Sequence, residues 1–222
     1  VEGLSISLYF SPVYPAERAL PLAKELVAVL QRRSPLFQPR FSSDADLLAA
    51  DRNEAFETLF KAVTLSQPWP GDKHGFEVSI SQARDEKRDW ALMSLTTGFI
   101  EQVRPEVERA WGFMLSEGPS LVEAASPLFA EVHAVGHPGI RFSGLVAGAL
   151  PPVFGPWNYV SAPLLEGGRR AAIEALPDCK VSPLHTGLAL QLVPDLYAKP
   201  GQELTAALRA LGVKYHAKSA PG

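Results

Sequence analysis

Leu4, Ile6, Leu8 and Phe10 alternate with Ser5, Ser7 and Tyr9 near the start of the chain. Period-two alternation over seven residues is the pattern of a β-strand with one buried face. Such a strand cannot stand alone. Its backbone groups need neighbours and its apolar face needs a cover. The chain must therefore build a sheet and pack something against it.

Further segments supply the partners. Phe76, Val78 and Ile80 alternate with Glu77, Ser79 and Ser81, which reads as a second strand. Asp85 to Asp89 is a charged turn, and Trp90 to Thr97 is apolar on both parities, as a central strand is. The two together resemble a hairpin. Trp157 to Val160 reads as a short strand, Leu188, Leu190 and Leu192 as another, and Val213 with Tyr215 as a last short one.

Helical spacing fills the intervals. Leu20, Ala23, Leu26, Val27 and Leu30 recur along one helix face. Ser43 and Asp46 form a weak capping box before Leu48, Ala55, Phe56 and Leu59. Val103, Val107, Ala110, Trp111 and Met114 predict a third helix, broken by Gly118-Pro119. Ser120 and Glu123 then predict the start of another, with Ala125, Leu128, Phe129 and Val132 inward and a kink or restart at Pro127. Gly136 and Pro138 end it. Gly167-Gly168 precede a helix through Ala172, Ile173 and Leu176. Leu204, Ala207, Leu208 and Leu211 make the final helix, closed by Gly212. Loops are read at Pro68-Trp69-Pro70-Gly71 and between Pro151-Pro152 and Gly155-Pro156. The expected architecture is a single α+β domain over residues 1–222, a mixed or antiparallel sheet covered by several amphipathic helices.

Composition narrows the function classes. The 222 residues are 46% hydrophobic and 20% charged, an ordinary folded chain. Lys and Arg number 21 against 24 Asp and Glu, a formal charge of −3. A general nucleic-acid binder needs a basic face to displace counterions, so direct nucleic-acid binding is not expected. No apolar run approaches the roughly 20 residues that span a bilayer, and no signal-peptide pattern opens the chain. Cys179 is the single cysteine, which excludes an intrachain disulfide and fits a reducing cytoplasm. A lone cysteine is ordinarily a small packed apolar residue.

No constellation of residues reveals an activity. Glu131, His133 and His137 put two imidazoles at i and i+4, a spacing that shares a metal on one helical turn. Gly136 and Pro138 stop the helix there, and Ala134 stands where a zincin has glutamate, so structural histidines are the expectation. An enzyme using His133 or His137 with a carboxylate, a small hydrolase or transferase, is the rival reading. Ser143 lacks the first glycine of a nucleophile elbow. Gly167-Gly168-Arg169-Arg170 at a helix start can bind an anion, but more often such glycines are a loop exit. Asp44, Asp46, Asp51, Glu54 and Glu57 line the second helix, either as a solvated face or as a negative surface that docks a basic partner. Trp69, between two prolines, either caps the core edge or anchors an interface.

The C-terminal third carries a family resemblance. Gly155-Pro156-Trp157-Asn158-Tyr159-Val160-Ser161, followed by Leu164-Leu165, Gly167-Gly168 and a short helix, resembles bacterial toxin-immunity proteins of type VI secretion and polymorphic toxin systems, nearest the immunity-protein-52 family. The strand Gly187 to Leu192, Pro194 and a helix near Glu203 are similar to that family's ending. The resemblance covers roughly the last 70 residues and, before them, only the order of elements. It implies a cytoplasmic or periplasmic antitoxin, not an enzyme, that blocks a cognate toxin, commonly a nuclease, by occluding its cleft or its assembly; the single cysteine and missing signal pattern favour the cytoplasm. No catalytic residue, metal or cofactor carries over from it. A nuclease cleft is basic, so an acidic face is its complement. The expected contacts are Asp44, Asp46, Asp51, Glu54 and Glu57, with Trp69 as anchor. Alternation makes Trp157 and Tyr159 core or sheet-face residues, not expected toxin contacts.

Overall fold

Alternation does produce a strand at the start of the chain: β1 spans Gly3–Phe10. A computed structural model describes residues 3–10, 61–68, 75–85, 90–99, 104–134 and 148–215, the first strands partly by backbone pairing alone. The predicted helix at Leu20 to Leu30, the second helix with its acidic residues, Trp69, His137 and Ser143 lie outside the described residues.

Three strands follow: β2 (Lys61–Pro68), β3 (Gly75–Asp85) and β4 (Trp90–Phe99). Helix α1 (Arg104–Ala125) leads to β5 (Phe129–Ala134). Then come β6 (Val153–Phe154), β7 (Trp157–Ser161), a 3-10 turn (Ala162–Leu165) and α2 (Arg169–Glu174). A hairpin of β8 (Lys180–Leu184) and β9 (Gly187–Gln191), helix α3 (Gln202–Ala210) and β10 (Lys214–Tyr215) end the fold.

Eight strands join one sheet in the order β2-β3-β4-β1-β5-β7-β9-β8. Every neighbouring pair is antiparallel. β10 and β6 form a separate parallel pair. The architecture is the expected single-domain α+β one, with an antiparallel main sheet. β1 sits between β4 and β5, so the first strand of the sequence is central and β2 and β8 are the edges.

Helices cover both faces of the sheet around β1, β5 and β7. On one, α1 packs on β1 and β7, and Gly118 lies against the Trp157 indole. Trp111, Met114, Leu121, Val122 and Ala125 are the buried stripe of α1. On the other, Tyr9, Phe129, Val160, Leu188 and Leu190 of the sheet meet Leu164 and Leu165 of the 3-10 turn, Ile173 of α2, and Leu204 and Leu208 of α3. Phe129 is fully buried between Tyr9 and Phe154, with ring centroids 5.7 Å away on each side.

Two expectations fail between residues 115 and 134. Gly118-Pro119 does not break the helix: α1 runs through both, and Ser120 and Glu123 lie inside it, not at a new N-terminus. Helix α1 ends at Ala125. Ser126 takes a left-handed φ of 50° and donates its hydroxyl to the Glu123 carbonyl at 3.2 Å. Residues expected to continue the helix, Phe129 and Val132 among them, form β5 instead.

Candidate functional site

The sheet centre holds the polar groups that the sequence singled out around Glu131. On a strand, residues two apart share a face, so β5 puts Phe129, Glu131 and His133 together. Register sets Ser7 opposite Glu131 on one side and Asn158 on the other. Glu131 is 1% exposed, and the Tyr9 phenol donates to its Oε1 at 2.9 Å. The His133 Nδ1 stands 3.9 Å from the same oxygen, with its side chain 12% exposed. That is an ion-pair distance for a protonated imidazole and too long for a hydrogen bond between the two. The i, i+4 spacing of His133 and His137 shares one face only in a helix, and His133 stands on strand β5, while His137 lies outside the described residues. Among the described residues no group of three His, Cys, Asp or Glu is placed to hold a metal ion.

The segment behind the family resemblance is architectural. Gly155 precedes β7, and a Cβ there would run into the Val132 carbonyl oxygen of β5. Only glycine allows that approach. Asn158 is fully buried. Its Oδ1 accepts from the Gly155 N–H, and its Nδ2 donates to the Gly155 carbonyl, both at 2.8 Å. One side chain thus satisfies both backbone groups of the turn that starts β7. Trp157 and Tyr159 are 2% and 0% exposed, core residues as their alternation implied. The Tyr159 hydroxyl donates to Thr186 Oγ1 at 2.7 Å. Burial holds its phenol above the ordinary value; the Thr186 bond works against this and the Glu123 charge adds to it. Among the described residues, the buried Ser161 Oγ finds no hydrogen-bond partner. Gly187, across from Ser161, again leaves no room for a Cβ beside the Val160 carbonyl.

The remaining candidates are quiet. Helix α2 has only six residues. Arg169 donates to the Leu164 carbonyl at 3.1 Å, and Arg170 pairs with Glu174 at 3.3 Å. Both guanidiniums proposed for an anion are thereby engaged within the protein. Cys179 is half-buried, and burial, then the Asp178 charge, push its thiol up. A raised pKa keeps it protonated and unreactive. Glu123, expected as a capping residue, instead accepts the His185 backbone N–H at 3.2 Å. That contact joins residues 62 apart in sequence, and no local motif announces it. No helix among the described residues is long and apolar enough to cross a membrane.

The class defined by these observations is an α+β domain with an eight-stranded antiparallel sheet whose β1, β5 and β7 part carries helices on both faces. Its fold is similar to that of the Pseudomonas aeruginosa T6SS protein PA0821, with a TM-score of 0.51 and 12% identity, over 97% of this chain and 77% of that one. No protein-family model matches the chain, so the resemblance to immunity protein 52 rests on its residues alone. No curated protein matches either.

Proposed function

We propose that the chain is an immunity protein that binds and neutralises a cognate bacterial toxin delivered by type VI secretion or a polymorphic toxin system. One observation carries the reading: two separate likenesses lead to the same kind of system. The Gly155 to Ser161 segment resembles toxin-immunity proteins, and a protein of similar fold is a T6SS protein. The chain would act in the cytoplasm as a plug, without catalysis of its own. In the resembled family the toxin is commonly a nuclease, whose phosphate-binding cleft is basic. An acidic surface is its natural complement, and Asp44, Asp46, Asp51, Glu54 and Glu57, with Trp69 as anchor, are the proposed contacts.

The core role of the Gly155 to Ser161 segment fits this reading, because the residues that carry the resemblance hold the scaffold and leave recognition to other surfaces. The rival reading, an enzyme using His133 or His137 with a carboxylate, would rest on His133, whose Nδ1 stands 3.9 Å from the buried Glu131 carboxylate on strand β5; His137 lies outside the described residues.

A charge-reversal titration tests the contact surface. Asp51→Lys, Glu54→Lys and Glu57→Lys together should weaken binding to the toxin and flatten its dependence on salt. Unchanged affinity at both low and high salt rejects these residues as the contacts.

A further inference from the structure

We draw no further inference here: the strongest candidate, the buried Tyr9–Glu131–His133 cluster on the β1–β5 strand pair at the centre of the sheet, carries nothing, because the side chains of β2, β3 and β4 on one flank lie outside the described residues and nothing in the structure shows what the cluster would bind.

Discussion

Replacing Asn158 with leucine tests whether the segment behind the resemblance is scaffold or contact. Leucine has nearly the same size but neither donor nor acceptor. The substitution leaves the Gly155 N–H and carbonyl, each now satisfied at 2.8 Å in a buried setting, without partners. Orphaning a buried polar group costs about 1–3 kcal/mol. Two such groups therefore predict a loss of roughly 2–6 kcal/mol in unfolding free energy. In a domain of this size each kcal/mol moves Tm by about 2–4 °C, so the variant should melt roughly 10 °C lower. Urea unfolding followed by fluorescence reads the change directly, since four tryptophans report on the fold. Asn158→Asp adds a signature of its own. Its carboxylate accepts from the Gly155 N–H but cannot donate to the Gly155 carbonyl, whereas the protonated acid can do both. Burial and the facing carbonyl raise the folded pKa above the unfolded one. The sign follows: the contribution is favourable below the unfolded pKa and is lost as pH rises through the folded value. The gap between this variant and the parent should therefore narrow on acidification. If Asn158→Leu stays within about 0.5 kcal/mol of the parent, the surface-like range, the architectural role is refuted.

Three further outcomes follow. Gly155→Ala should cripple folding, because its Cβ meets the Val132 carbonyl oxygen, whereas Gly112→Ala, with open space around it, should stabilise by about 0.5–1 kcal/mol; equal melting temperatures for the two variants would contradict this. Phe129→Ala removes a fully buried ring packed between two others and should cost about 3–5 kcal/mol in chemical denaturation; a loss below about 1 kcal/mol would mean the ring packs elsewhere. Burial raises the folded pKa of Tyr159 and, more strongly, of Tyr215. Groups raised in this way contribute stability that is whole below their unfolded pKa and falls as pH climbs past it. Stability should therefore decline above about pH 10, and Tyr215→Phe should lessen that decline; an alkaline limb unchanged in the variant argues against the assignment.

Much of the fold was legible because its strands and helices follow simple periods. β1, the β3–β4 hairpin, β7, β9 and α3 all lie where alternation or helical spacing put them. The failure at 115–134 has a physical cause. Leu128, Phe129 and Val132 fit a helix face because β5 is covered on both sides. Ala130 and Val132 on one face and Phe129 and Glu131 on the other are all buried, so no polar alternation marked the strand. Pro119 looked like a break, yet Trp111, Met114, Leu121, Val122 and Ala125 share a single stripe whose period continues across it. Gly118 serves as a seat for Trp157 and not as a stop. β8 went unread because it contains Pro183, which a sheet tolerates on an edge strand such as this one. Around Glu131 the sequence picked out Glu131 and His133 but missed Tyr9, which joins the cluster across 122 residues. Strand pairing at that separation leaves no local signal.

The proposal that the chain works as a toxin-blocking plug is tested most directly by rescue. A bacterium expressing the product of the gene adjacent to this one, at a level that kills, is given the intact chain in the same cytoplasm, and survival is scored. The account predicts that cells live and that the two proteins purify as a stable complex. Cells that die while the chain accumulates folded and unbound would contradict it.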